Sequence, residues 1–239
     1  MQQKTIKTII LSTIAVAAIA TILLFIFSPN KPTKADPNIA DMFSYSPTIG
    51  NKDAKNSIIL FEDLDCPHCQ ELHNGIYKKL MRDYINTKKA KIKLVVVPIV
   101  SGNPAVTVAY CLAEQSPQFF QKYIDFVYSD IDSLQSNKKD FYTNPMQIFT
   151  TANNKTQKNL EKQTTIPKLT LPGLKLSELQ TCIQKPYMQK IGTTYASHLN
   201  SLTRANKWGK VAGTPTLIIN GQYIRDFTDY KNIQSHLDK

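Results

Sequence analysis

The stretch Ile58-Ile59-Leu60-Phe61-Glu62-Asp63-Leu64-Asp65-Cys66-Pro67-His68-Cys69 decides the fold. Residues 58–61 form an apolar run of the length expected of a buried strand. After Cys66, the residues Leu72, Ile76, Leu80 and Tyr84 recur on one face of a helical pattern. A buried strand feeding a helix that opens with C-x-x-C reads as a dithiol redox site. Cys66 falls at the helix start, where unpaired backbone N–H groups and the helix dipole favour an anion. Pro67 occupies the first turn, where no hydrogen bond is lost. His68, when protonated, adds a positive charge beside Cys66. Cys69 lies one turn along, placed to attack a mixed disulfide at Cys66.

C-x-x-C is also half of many zinc sites, with His68 or His73 as further ligands here. Three features weigh against zinc. No second C-x-x-C is present, Cys111 and Cys182 are isolated, and a second piece of redox site lies downstream. The expectation is therefore no metal, and no cofactor beyond a redox-active Cys66–Cys69 disulfide. A metal-binding or metal-delivery module built on Cys66, Cys69 and His68 is the alternative from a different functional class.

The chain has 239 residues, enough for one large domain or a domain with an insertion. Its net charge of +11 is spread among Asn, Gln and Thr, with no basic stripe interleaved with aromatics. That pattern reads as a solvated basic surface and points away from nucleic acid. Lys4 and Lys7 precede an almost wholly apolar stretch over 8–27, about 20 residues and long enough to cross a bilayer. Ala18 and Ala20 lie inside the run, which continues beyond them. This favours an uncleaved anchor over a cleaved signal segment. The lysines before the span point inward, although Lys31 and Lys34 beyond it weaken the bias. The folded part is then exported to the periplasmic face of a bacterial inner membrane, where disulfides persist.

Residues 28–46 read as a proline-bearing linker, with Met42, Phe43 and Tyr45 expected to dock on the domain. Residues 57–62 form a strand, and the β-branched run 92–97, stopped by Pro98, forms a second. Strand, helix and strand at this spacing make a βαβ unit with a parallel pair, assigned to residues 47–102. Residues 103–206 change character. Stripes at Ala105, Val108, Ala109 and Leu112, then at Phe120, Tyr123, Ile124 and Val127, predict two helices. Leu176, Leu179 and Ile183 predict a short helix carrying Cys182, and Met188, Ile191, Tyr195, Leu199 and Leu202 a longer one. Residues 137–171 are polar and fit short helices or a loop. Over 207–239, Leu217-Ile218-Ile219 and Gln222-Tyr223-Ile224 flank Asn220-Gly221, a strong hairpin signal, and a short amphipathic helix closes the chain.

With these pieces in place, the chain resembles the DsbA-like branch of the thioredoxin superfamily over residues 46–239. Cys66-Pro67-His68-Cys69 matches the dipeptide pattern associated with DsbA. Gly213-Thr214-Pro215-Thr216, ahead of Leu217-Ile218-Ile219, looks like the family's cis-proline segment. The helical insertion lies between βαβ and ββα halves, as in the family. The resemblance implies an α/β thioredoxin-like fold with an inserted helical domain. It also implies a cis Pro215 facing the cysteines, and Thr214 touching the sulfurs while its N–H and C=O pair with an extended substrate. The chain departs from the family at Leu60, where members often carry a buried acid that moves protons from the second thiol. Glu62 shares Leu60's strand parity and is a candidate substitute, yet Glu62, Asp63 and Asp65 each read as solvated. His73, His198 and His236 have no motif around them and read as surface or satisfied core residues.

Pairing Cys66 with Cys69 leaves Cys111 and Cys182 either bridged or as two buried thiols. An oxidising compartment favours the bridge. The functional expectation is a membrane-tethered thiol:disulfide oxidoreductase that introduces disulfides into exported protein thiols. A DsbB-type inner-membrane partner, implied by the resemblance, would reoxidise it. A reductase or isomerase of the same fold is the alternative. Isomerases of the superfamily commonly carry an N-terminal dimerisation domain, which the short linker here does not match.

Overall fold

The computed structural model describes residues 42–100, 103–129, 145–149, 168–204 and 213–238. The anchor reading for 1–27, and most of the linker and of the polar segment 137–171, lie outside the described residues. Among the described residues no helix is long and apolar enough to cross a membrane.

Among the described residues a five-stranded sheet carries the fold, in the order β1 (Thr48–Gly50), β3 (Ala90–Val96), β2 (Asn56–Glu62), β4 (Thr216–Ile219), β5 (Gln222–Ile224). The central strand β2 (Asn56–Glu62) lies parallel to β3 (Ala90–Val96), with Leu60 opposite Leu94. It lies antiparallel to β4 (Thr216–Ile219), with Leu60 also opposite Leu217. Ile58 to Glu62 are all buried, as a strand paired on both edges and covered on both faces requires. β4 turns into β5 (Gln222–Ile224) through Asn220 and Gly221, at φ 49° and 79°. Two consecutive left-handed residues match the right-handed twist of a hairpin, which explains Asn-Gly here. The sequence reading did not include β1 (Thr48–Gly50), antiparallel to β3. Three residues are too few to show alternation. Its Gly50, at φ 94°, is required: a Cβ there would sit 2.8 Å from Ile85 Cγ2.

Between β2 and β3 the chain runs as a continuous helix, α1, through Pro67–Leu72, His73–Tyr77, Lys78–Leu80 and Met81–Ile85. The second and fourth segments are wide π turns. The wide turn shifts the buried face by one residue: Tyr77, not the expected Ile76, takes the core position, followed by Leu80 and Tyr84.

The described part of the inserted segment is largely helical. It holds α2 (Asn103–Gln115), α3 (Pro117–Ser129), α4 (Leu176–Ile183) and α5 (Pro186–Arg204). A 3₁₀ turn, Pro145–Ile148, and a bridge from Phe149 to Leu169 lie between α3 and α4. α2 packs against α3, α4 and α5. Tyr110 of α2 fastens the insertion to the sheet. Its buried hydroxyl donates to the Val96 carbonyl at 2.7 Å and accepts from the Val96 N–H at 2.9 Å. Each such bond contributes roughly 0.5–1.5 kcal/mol net, but leaving either backbone group unpaired would cost about 1–3. The end of the linker docks on α5. Phe43 is fully buried between the rings of Phe61 and Tyr195, and the Tyr45 N–H donates to the Tyr195 hydroxyl at 2.8 Å. The closing helix α6 (Tyr230–Leu237) buries Ile233 and Leu237.

Cys111 on α2 and Cys182 on α4 are joined by a disulfide across 71 residues of chain, with Cα atoms 5.7 Å apart. Closing so long a loop restricts the unfolded chain, by roughly 4 kcal/mol in the entropy model. The double substitution Cys111→Ala/Cys182→Ala is expected to lower the free energy of unfolding by about 2–4 kcal/mol. Urea titration of the two proteins would measure this, and coincident midpoints would contradict it.

Candidate active site

Cys66 caps the N-terminus of α1 in an extended conformation (φ −87°, ψ 118°), with Pro67 in the first turn. The turn is closed from below, because the Cys66 N–H donates to the Asp63 carbonyl at 3.0 Å. Cys66 and Cys69 stand as free thiols in unequal settings. Cys66 keeps 9% of its surface, whereas Cys69 keeps none. The Asp63 N–H donates to Cys69 Sγ at 3.4 Å. Burial first, and then the nearby Glu62 charge, push the Cys69 thiol far above its ordinary range. Cys69 therefore stays protonated when reduced. His68 turns outward: its side chain is 82% exposed, and Nδ1 lies 4.0 Å from the Glu71 carboxylate. Solvent and Glu71 both screen whatever charge it carries.

The second sequence motif meets the first. The Thr214–Pro215 peptide bond is cis, and the Cys66 thiol donates to the Thr214 carbonyl at 3.4 Å. Beside this junction lies a groove of about 540 Å³. His68, Leu72 and Ile76 of α1 form one wall. Thr214, Pro215, Tyr223 and Phe227 form another. A larger hollow, about 660 Å³, lies over the Cys111–Cys182 bridge between Glu114, Lys175 and Lys185. It contains neither thiol of the C-x-x-C pair. Among the described residues no three His, Cys, Asp or Glu side chains are placed to hold a metal ion.

The structure corrects the reading of the acids before Cys66. Glu62 and Asp63 are fully buried rather than solvated, and Asp65 is half-buried. Glu62 ends β2 and turns inward to His73, whose Nδ1 lies 3.1 Å from Oε2. The far ring nitrogen, Nε2, lies 2.8 Å from Oδ1 of Asp125 on α3. Asp125 keeps 44% of its side chain exposed, whereas Glu62 and His73 keep none. Tyr77 stacks on the His73 ring at 4.2 Å, and Tyr128 leans on it at 4.6 Å. Asp63 is used locally, accepting from the Asp65 and Val100 N–H groups. Of these groups, the sequence marks Glu62 by strand parity, and His73 reads as a surface or satisfied core residue; the structure places it in the core. His73 does follow Cys69 by four, the spacing that puts two residues on one helical face. Nothing near Asp125 in the sequence marks it.

Burial alone would lower the His73 pKa. The Glu62 charge and the hydrogen bonds to Asp125 and Glu62 outweigh it and raise the value to about 9. Burial raises Glu62, against the pull of the His73 charge. Because the folded His73 value exceeds its ordinary 6.5, its contribution to stability is complete below that pH and is lost as pH rises through about 9. The wild-type protein should therefore lose stability across that window, by on the order of 3 kcal/mol at most. His73→Gln should lack this slope. Urea midpoints of both proteins at a series of pH values test this, and parallel pH dependence would refute it.

Comparison with known proteins agrees with this geometry. A family model described as Thioredoxin matches residues 44–239. Disulfide bond formation protein D of Bacillus subtilis is 23% identical over 193 residues, spanning 81% of this chain and 76% of that protein. The crystal structure of Chlamydia trachomatis DsbA superposes with a TM-score of 0.51 at 19% identity, over 82% of this chain and 91% of that one. The thiol-disulfide exchange protein alpha-DsbA2 of Wolbachia pipientis gives 0.53 at 18% identity, over 83% and 90%. With the family model covering most of its length, and a buried dithiol set against a cis-proline, the chain belongs to the thioredoxin family and is a DsbA-like thiol:disulfide oxidoreductase.

Proposed function

We propose that this protein donates its Cys66–Cys69 disulfide to thiols of exported proteins while tethered to the outer face of a bacterial inner membrane. The observation that carries this reading is the inequality of the two sulfurs. Cys66 sits at a helix N-terminus against the Thr214 carbonyl, and Cys69 lies wholly buried behind it. A substrate thiolate attacks Cys66 Sγ, the Cys66–Cys69 bond breaks, and Cys69 departs with the electron pair. A second substrate thiolate then attacks the substrate sulfur of the mixed disulfide and releases Cys66 as thiolate. The substrate is oxidised by two electrons and the protein holds them as a dithiol. The position of Cys66 at a helix N-terminus supports an oxidising couple.

The groove beside the cis-proline supports an extended protein substrate. Pro215 has no N–H to offer, so pairing falls to the Thr214 backbone, and the apolar wall of Leu72, Ile76 and Phe227 takes side chains without fixing their identity. The apolar run 8–27 supports the tether. Reoxidation requires a two-electron acceptor, and the DsbA-like character supports a quinone-linked membrane partner of the DsbB type. No cofactor is needed in this cycle.

Two outcomes are expected. In cells, Cys69→Ala should accumulate mixed disulfides with exported proteins, detected as reductant-sensitive adducts on gels, and Cys66→Ala should accumulate none. Equal trapping by both would remove Cys66 from the nucleophile-accepting position. The couple, equilibrated with glutathione buffers, should be more oxidising than thioredoxin's value of about −270 mV. His68→Pro should lower it only by tens of millivolts, given the exposure of His68. A wild-type couple as reducing as thioredoxin would favour the reductase alternative.

A further inference from the structure

We propose that Gly75 forms a notch in the groove beside the cis-proline, and that the notch selects substrates with a large apolar side chain about four residues from the reacting cysteine. The proposal rests on the disulfide-donation reading above and names what that groove admits. Gly75 belongs to the first wide turn of α1, His73–Tyr77, and is exposed. The backbone does not call for glycine there. Gly75 is not left-handed, and ordinary helical angles bound the turn, with φ −60° and ψ −46° at Leu72 and φ −60° and ψ −37° at Lys78. Packing does not call for it either, because a Cβ at Gly75 would meet no heavy atom within 4 Å among the described residues. The groove's other glycine, Gly213, stands at φ 130°, which explains it. Glycine inside a helix destabilises it relative to alanine. A residue that weakens α1 and relieves no clash leaves room for something outside the chain.

The surroundings say what fits. Leu72 and Ile76 flank Gly75 on α1, and Pro215, Tyr223 and Phe227 line the other wall of the groove. Glu71 and Lys79 precede and follow Gly75 by four residues, but both have other partners. Glu71 Oε2 lies 4.0 Å from His68 Nδ1, and Lys79 Nζ lies 5.4 Å from the centre of the Tyr230 ring. The notch is therefore bordered by hydrocarbon and aromatic surface, which favours burial of an apolar side chain over a charged one. The missing Cβ admits a bulk that a side chain at this position would exclude. The notch thus selects a class, large and apolar, rather than one residue type. Its register follows from chain geometry. Cys66 and Gly75 are nine positions apart along α1, about 13 Å at 1.5 Å per residue. An extended chain covers that distance in about four residues, and an even spacing keeps both side chains on one side of the segment. A substrate paired with the Thr214 backbone can then present its cysteine to Cys66 and the side chain four positions away to Gly75.

The test uses the full oxidised chain in detergent and two unstructured peptides, each with two cysteines. The peptides differ only in carrying Phe or Ala four residues to either side of the first cysteine. Peptide disulfide formation gives kcat/KM, and thermal unfolding gives Tm. The wild-type protein should favour the Phe peptide by about tenfold. Gly75→Ala should raise Tm by about 1–4 °C and cut that preference several-fold. Gly75→Leu should bring the preference close to one. A merely structural glycine would not gain stability and lose discrimination together. Reduction by dithiothreitol, too small to span the groove, reports on the Cys66–Cys69 pair alone. A wild-type protein indifferent to Phe, or a Gly75→Leu protein that keeps the wild-type preference, would overturn the proposal. A Gly75→Ala protein less stable than wild type would also overturn it, because the fold itself would then require the glycine. So would a dithiothreitol rate that falls in step with the peptide rate, the mark of a disturbed dithiol. A wild-type protein that dithiothreitol reduces but that oxidises neither peptide would instead overturn the donation reading, and this inference with it.

Discussion

The pairing of β2 on both of its edges is the constraint on which the rest depends. Leu60 faces Leu94 on one side and Leu217 on the other. The parallel partner requires a crossover, which α1 supplies, and the crossover helix must begin just beyond the end of β2. The antiparallel partner begins just after the cis-proline segment, so residues 148 positions apart in sequence meet at Cys66 and Thr214. Neither motif is a site alone. The central strand makes them one.

The same strand sets the electrostatics. Its last residue, Glu62, points into the interior just where the chain leaves the sheet to form the cysteine turn. A carboxylate there would be costly without a cation, and His73 is carried to it by the first wide turn of α1. The helix thus does two things at opposite ends of a short span: its start positions Cys66 against the Thr214 carbonyl, and its second turn brings His73 to the Glu62 carboxylate. The difference between the two sulfurs follows from this arrangement.

The sequence made the main elements legible because each carries a periodic apolar signal. The β2 and β3 runs, the helical stripes of the insertion and the Asn-Gly hairpin all appear where that signal puts them. The thiols and the cis-proline were legible through spacing and resemblance. Three things were not. β1 is too short to alternate. The wide turns of α1 exchange Ile76 for Tyr77, and a 3.6-residue period does not anticipate an inserted residue. The line through Glu62, His73 and Asp125 joins three elements across 11 and 52 residues of chain, and no local pattern reports such a pairing. Glu62 and Asp63 read as solvated in the sequence because acids near a turn usually are. Their burial is offset by His73 at Glu62 and, at Asp63, by the Asp65 and Val100 N–H groups, of which His73 and Val100 are brought near by the fold.

The two outermost strands, β1 and β5, are three residues each. An unpaired strand edge is a template on which any extended chain can zip itself by backbone hydrogen bonds. A long, exposed edge strand carries that hazard in any protein. Here the long strands are interior and the rims offer only a few peptide groups, so a passing chain gains little by adhering to the sheet. The backbone open to an extended partner is then concentrated at Thr214, whose carbonyl already meets the Cys66 sulfur.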